Sequence, residues 1–234
     1  MEMNAEPSAD LSRLWGLCHE SNDLPDRIKR VSNALLGYPY ITGPLNKFDE
    51  TEQLIINLEA FDCVTFVETV LALALCKAPT DFQTTLKALR YAADEVSWLQ
   101  RNHYVTDWVK NNEVKGYLRN ITPGQPVCSI TREFSALANF PAKTQSINFL
   151  PPEGLPTFSA SLQTGDLIFF GTMRENLDFS HEGILIREAE DLKLRHASRS
   201  KAAVCEETLS TFLERFGASP GVIVARPTRP IHNL

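Results

Sequence analysis

Residues 61–75 read Phe61-Asp62-Cys63-Val64-Thr65-Phe66-Val67-Glu68-Thr69-Val70-Leu71-Ala72-Leu73-Ala74-Leu75. The run from Val64 is the longest apolar stretch in the chain. It is shorter than the roughly 18 residues a membrane-spanning helix needs, and Thr65, Glu68 and Thr69 interrupt it. It therefore reads as a helix buried in a globular core. Asp62 is a good N-cap for it. Cys63 then falls in the first helical turn, where free N–H groups and the helix dipole favour negative charge. That setting lowers a thiol pKa and favours a thiolate. The other reading is a structural cysteine that opens a core helix, since free cysteines are commonly buried.

Outward from this helix, the first half reads helical and the last third reads as strands. Leu24, Ile28, Val31 and Leu35 have helical spacing, and Gly37-Tyr38-Pro39-Tyr40 ends that helix. Residues Asp81 to Gln100 read as another amphipathic helix. Asn102 to Pro126 reads as polar and irregular, with Tyr104, Trp108 and Tyr117 as aromatic islands. Phe140 to Gln163 reads as a long connection rich in Pro, Ser and Thr. Short strands follow at Asp166–Phe170, Gly183–Arg187, Leu192–Ala197 and Gly221–Arg226, with Cys205 in a further strand. Helices first and strands later is the α+β pattern: an antiparallel sheet with helices of the first half over one face.

The 234 residues suit one domain, and 43% hydrophobic with 22% charged residues is ordinary soluble-protein usage. A net charge of −6 argues against a nucleic-acid partner, which needs a basic footprint. Residues 1–10 lack the basic start and apolar run of a signal peptide. The chain is thus cytosolic, or a signal has been removed. Five cysteines without a CxxC pair exclude zinc-ribbon and thioredoxin readings. Cys18, Cys76, Cys128 and Cys205 read as packing or loop residues.

His181 and His196 stand on consecutive predicted strands, which can bring them together at one end of the sheet. A thiol needs a base, and the base needs an orienting partner. Cys63, His181 and His196 can supply nucleophile, base and orienter. The alternative is two ordinary strand histidines. The same three residues make weak metal ligands, because no two are closely spaced, so no metal is assigned. No cofactor is implied, because the chain lacks a phosphate-cradling glycine loop.

Four segments carry a resemblance: Pro39-Tyr40-Ile41-Thr42-Gly43, Phe61 to Glu68, Arg101-Asn102-His103-Tyr104-Val105-Thr106-Asp107-Trp108, and Leu177 to Ile184. With His196-Ala197-Ser198 and Gly165-Asp166-Leu167, they resemble the NlpC/P60 superfamily of papain-like cell-wall hydrolases. Within it, the chain is similar to the family labelled DUF1460, the N-acetylmuramoyl-L-alanine amidase-like branch. The resemblance implies a papain-like core with an additional helical subdomain. The whole chain, 1–234, is then a single catalytic domain. Residues 61–78 and 146–230 form the core, with additions at about 1–60 and 80–145.

The resemblance also implies a peptidoglycan or muropeptide substrate; the apolar runs are too short for a membrane span, and no obligate protein partner is evident. It points to a periplasmic or cell-envelope location. Cys63 would attack the amide between N-acetylmuramic acid and L-alanine. His181 would be the base and then the acid, oriented by His196. Tyr40 would line the site and Asp62 would border it. Arg101 would pair with a peptide carboxylate, or instead with Asp107. Tyr104 or Trp108 would stack on a sugar ring, or Trp108 would be core. His103 would touch substrate or lie at the surface. Asp178 and Ser180 flank His181, to shape its pocket or to cap a turn. Glu68 is structural or a partner for Arg101. Three other activities remain open on the same residues: a D-glutamyl-diamino-acid endopeptidase, an acyltransferase through the same thioester, and a non-catalytic cell-wall binding module.

Overall fold

The computed structural model describes residues 7–45, 51–122, 128–189, 191–217 and 219–230. The first five helices are α1 (Ala9–Cys18), α2 (Leu24–Ala34), α3 (Cys63–Leu75), α4 (Phe82–Arg90) and α5 (Val105–Val114). The strands are β1 (Leu118–Asn120), β2 (Cys128–Phe134), β3 (Lys143–Phe149), β4 (Leu167–Gly171), β5 (Phe179–Glu188), β6 (Asp191–Ser198), β7 (Ala203–Thr208) and β8 (Val222–Pro227). Two short helices, α6 (Leu155–Ser159) and α7 (Leu209–Phe216), lie among the later strands. Six strands form one antiparallel sheet in the order β1-β8-β4-β5-β6-β7, and β2 and β3 form a separate hairpin. The fold is mixed α+β.

Strand periodicity divides the interior. Leu167, Phe169, Ile184, Ile186, Ile223 and Ala225 face the core built with α1 to α5. Ile168, Phe170, Leu185, Leu194, Val222 and Val224 face a second core with α6 and α7. Every residue of β4 is buried because both faces of the sheet are covered. The helices of the first half do cover one face, and α6 and α7 cover the other.

Four expectations need correction, the last at the start of β5. Helix α4 stops at Arg90 rather than Gln100. Tyr91 turns extended, and the following loop closes on itself through Ala92 N–H to Gln100 O and Asn102 N–H to Arg90 O. The Lys115 ammonium takes the carbonyls of Ala88 (2.6 Å) and Tyr91, and Asn112 donates to Leu89 O (2.9 Å). The open carbonyls at the helix end are thus satisfied from α5, and nothing requires another turn. Second, the Asn102–Pro126 stretch holds α5 and β1. Thr106, Trp108, Val109 and Asn112 are the buried face of α5, with a buried Asn in a place where the pattern calls for an apolar residue. Third, the supposed connection at Phe140–Gln163 contains β3. Its Ile147 and Phe149 point inward while Thr144, Ser146 and Asn148 point out. Such a half-buried strand is mostly polar by composition.

Strand β5 begins at Phe179, ahead of the expected Gly183. Its pairing with β4 slips between Phe170 and Gly171, which pair with His181 and Phe179. Ser180 is the extra residue of this bulge. A bulge re-aims the side chains beside it. Phe179 consequently belongs to the α3-side core, whereas the His181 ring packs on Phe170 and Phe212 on the α7 side.

Candidate active site

The α3 N-terminus is held by a reciprocal cap. Asp62 Oδ1 accepts from Thr65 N–H (2.8 Å), and Thr65 Oγ1 accepts from Asp62 N–H (3.0 Å). Cys63 is the first helical residue. Strands β5 and β6 pair only from Ile184–Arg195 onward, so they part before reaching Glu182. The Cys63 thiol enters this seam and meets the backbone N–H groups of Glu182 and Val64. Those donors favour a thiolate, but burial and the nearby Glu182 and Asp62 carboxyls outweigh them. The thiol is held well above its ordinary value of 9.0. The lowered thiol pKa expected from the helix N-terminus is therefore not the resting state. A helix dipole is worth at most about 2 kcal/mol, less than the cost of an uncompensated buried charge.

His181 and His196 do come together. Their Nε2 and Nδ1 atoms lie 2.7 Å apart, with the ring planes at 88°. Phe212 of α7 lies flat along His181 at 5.3 Å and edge-on to His196 at 5.2 Å. Burial, and then the charge His196 would carry, push His181 from 6.5 down to about 3. Burial also lowers His196. Both rings are neutral at physiological pH. The second nitrogen of His196, Nε2, meets Glu207 Oε1 at 2.9 Å. Cys63 reaches the seam from the α3 side, and the His181 ring lies on the α7 side. Among the described residues no hydrogen bond joins the two, and His181 Nδ1 is unengaged.

A cavity of about 230 Å³ lies beside the start of α3. Four of the expected substrate residues line it: Asp62, Arg101, His103 and Trp108. The structure corrects the pairings assigned to them. Arg101 reaches Glu52 (3.2 Å) and Leu45 O (2.9 Å), not Asp107. Asp107 instead pairs with Lys143, outside the cavity. Glu68 pairs with Arg90 (2.8 Å) and accepts from Trp108 Nε1 (3.2 Å), not from Arg101. Trp108 is thus 5% exposed, a core residue whose indole N–H is taken, which disfavours stacking on a sugar. The His103 ring meets Trp98 O at 2.8 Å and packs between Trp98 and Phe140. Tyr40 lies outside the cavity near Cys63 and Asp62, and burial raises its pKa. Ser180 is exposed in the bulge. Asp178 accepts from Thr106 N–H (2.8 Å), Thr106 Oγ1 (3.0 Å) and Phe179 N–H (2.9 Å), so it ties β5 to the start of α5.

Two residues of the site escaped the sequence. Glu182 is 5% exposed, lines the cavity and is raised well above 4.5 by burial and by Glu68, Asp62 and Asp178. Glu207 backs the histidine pair. Cys205 lies opposite His196 in the β6–β7 register, and Glu207 is two residues on, hence on the same face. Period-two spacing was the available signal, but it needs the register. His196, Cys205 and Glu207 offer donor atoms within 4.8 Å of one another. Their fit to a metal ion is poor. Arg215 and Lys201 (3.6 Å) already neutralise Glu207, and the 2.9 Å contact to His196 is a hydrogen-bond distance.

The chain matches the model of the AmiA-like, N-acetylmuramoyl-L-alanine amidase-like family over residues 30–218. No curated protein matches it. It is similar to the crystal structure of an N-acetylmuramoyl-L-alanine amidase from Bacteroides uniformis: 27% identity, TM-score 0.75, covering 85% of this chain and 96% of that one. Protein LPG0564 of Legionella pneumophila, matched to the DUF1460 family, shares the fold at 21% identity and TM-score 0.81, over 97% and 96% of the two chains. A Bacteroides fragilis protein with a provisional xylanase name is 30% identical, with TM-score 0.71 over 83% and 98%. Among the described residues no helix is long and apolar enough to cross a membrane. The match over most of its length places this chain in the N-acetylmuramoyl-L-alanine amidase-like family.

Proposed function

We propose that the protein is a cysteine amidase with a papain-like NlpC/P60 core, acting on peptidoglycan or its turnover fragments in the cell envelope. The bond cleaved joins the lactyl carbonyl of N-acetylmuramic acid to L-alanine. The observation that carries this reading is the hydrogen-bonded His181–His196 pair, which leaves His181 Nδ1 unengaged on the strand whose backbone meets the Cys63 thiol. Of the three expected catalytic residues, two are in contact and the third sits at the adjoining seam.

The resting thiol is neutral, so activation proceeds by general base rather than from a standing thiolate. His181 Nδ1 takes the Cys63 proton as sulfur attacks the carbonyl carbon. The oxyanion of the tetrahedral intermediate draws on N–H groups at the start of α3. His181 returns its proton to the departing L-alanine nitrogen, and a thioester remains on Cys63. Water, deprotonated by His181, then releases the muramyl acid. Closure of the Cys63–His181 contact accompanies substrate binding, as catalytic hydrogen bonds often tighten only in the complex.

A glycosidase reading fits less well. Hydrolysis of a sugar linkage needs two free carboxyl groups about 5–9.5 Å apart across a groove. Here Glu68 is bound by Arg90 and Trp108, and Asp62 caps α3. The deciding experiment is mass spectrometry of defined muropeptides incubated with the wild type and with Cys63→Ala. Free stem peptide from the wild type alone is the expected result. Cleavage inside the stem would make the enzyme an endopeptidase with the same nucleophile. Equal cleavage by both proteins would remove the thiol from the mechanism.

A further inference from the structure

We infer that Glu207 is a positioning residue: acting through His196, it sets the tautomer of His181 so that the nitrogen free to meet Cys63 is the unprotonated one. The effect on rate rests on the amidase reading above; the tautomer does not.

The inference follows from donor and acceptor counting. Burial works against ionisation of Glu207, but Arg215, His196 and Lys201 together hold its carboxyl below the usual range. An ionised carboxylate only accepts hydrogen bonds. The 2.9 Å contact therefore requires a proton on His196 Nε2. A neutral imidazole has one N–H, so His196 Nδ1 presents a lone pair. The 2.7 Å contact then requires the proton of His181 to be on Nε2. His181 Nδ1 is left bare, able to receive a proton from sulfur.

The groups around the pair leave one competitor. Phe170 of β4 and Phe212 and Phe216 of α7 are apolar. Lys201 precedes β7 and Arg215 lies on α7, and both contact Glu207. Asp62, Cys63 and Glu182 lie towards the α3 side. Cys205 Sγ, on β7, is 3.4 Å from the same His196 Nε2. Burial raises this thiol, so it carries its proton. Without Glu207, Cys205 S–H donates to Nε2 and the chain reverses. His196 then donates from Nδ1, and His181 carries its proton on Nδ1, the nitrogen that must be bare to act as base. That tautomer cannot act as the base.

During catalysis the Cys63 S–H bond breaks and an N–H bond forms at His181 Nδ1. The imidazolium donates from Nε2 to His196, and the Glu207 carboxylate stabilises its charge through the shared chain. His196 keeps its proton throughout.

The test uses the full-length protein, Glu207→Gln and Glu207→Leu. Glutamine can still accept from His196 but carries no charge, while leucine removes the acceptor. Expected losses in kcat are about 10-fold for glutamine and about 10³-fold for leucine, with KM changed less than about 3-fold. The acid limb of the pH–rate profile should move to lower pH in Glu207→Gln, because the carboxylate no longer supports the imidazolium. Imidazole ¹⁵N spectra report the tautomer without any turnover. The expected wild-type spectrum shows His181 protonated on Nε2, and Glu207→Leu shows the reversed form. A wild-type His181 protonated on Nδ1 overturns the inference. So does a pair of variants with lower melting temperatures but unchanged kcat, pH profile and tautomer, which is how a merely structural anchor for α7 would behave. If Cys63→Ala retains hydrolysis, the amidase reading fails, and the ¹⁵N spectra still decide the role of Glu207.

Discussion

The two faces of β5 handle buried polarity in opposite ways. Towards α3, Glu182 joins Asp62, Glu68, Arg90 and Arg101 around a cavity, and the carboxyls of Asp62, Glu68 and Glu182 are pushed up by burial. Towards α7, His181 and His196 pack among phenylalanines and are pushed down by burial. Desolvation favours the neutral form on both sides, which raises the carboxyls on one face and lowers the imidazoles on the other, with Arg90 opposing it at Glu68. One strand can thereby carry a neutral base beside a neutral thiol. Neither needs a standing charge until the reaction creates a pair of them.

The largest test of this contrast is at the seam. Cys63→Ala should lower amide hydrolysis on the order of 10⁵-fold while leaving the melting temperature near that of the wild type, read by muropeptide turnover and thermal unfolding. A loss of stability matching the loss of activity would instead make Cys63 a packing residue.

The polar face comes next. Glu68 and Arg90 are 2% and 3% exposed, and removal of one partner strands a buried charge. Arg90→Met should cost about 3–5 kcal/mol in urea unfolding, and Glu68→Leu with Arg90→Met together should recover much of it. A double variant no better than the single one would mean that the pair matters as packing rather than as charge.

On the other face, Gly183 has no room for a side chain. A methyl group there would meet Leu194 Cδ1 at 2.7 Å, Arg195 O at 2.9 Å and His196 Cβ at 3.0 Å. Gly183→Ala should cost about 1–3 kcal/mol. It should also lower kcat by displacing His196. An alanine variant with wild-type kcat would show that the pair tolerates movement.

The smallest effect is in the pH dependence of stability. His181 has a folded pKa below its unfolded value, so the unfolded chain takes up the proton first on acidification. Its contribution is complete above about pH 6.5 and is lost as the pH falls from there towards about 3. Glu182 is raised, so its sign is opposite: stability is lost as the pH rises above its unfolded value of 4.5. His181→Gln should flatten the acid limb of a melting-temperature profile. Glu182→Gln should flatten the neutral limb and stabilise the fold at pH 7–8. If both substitutions shift the same limb, the two faces do not differ as described.

The helix caps and the central strands were readable from local chemistry. Asp62 before an apolar run sets the start of α3, and alternation or dense apolarity marks β4, β6 and β8. Helix α5 and strand β3 were not readable in that way. Asn112 is buried in α5 because its amide satisfies carbonyls on α4 and α5, and half of β3 is polar because that half faces solvent. Composition reports what a segment contains, not which of its residues will find partners.

At the site, residue type made Cys63, His181 and His196 candidates but left structural roles open, and the family resemblance chose among the readings. The resemblance grouped Tyr40, Asp62, Arg101, His103, Asp107, Trp108 and Ser180 about the substrate, and the cavity is lined by Asp62, Arg101, His103 and Trp108 but not by Tyr40, Asp107 or Ser180. Pairing partners were set by how the elements pack. Arg101 took Glu52, Glu68 took Arg90, Asp107 took Lys143, and Glu207 came to stand behind His196. The tertiary structure also decided the charge state of the thiol. A helix start acts within one turn, whereas burial is set by everything that packs around it, and here burial is the stronger effect.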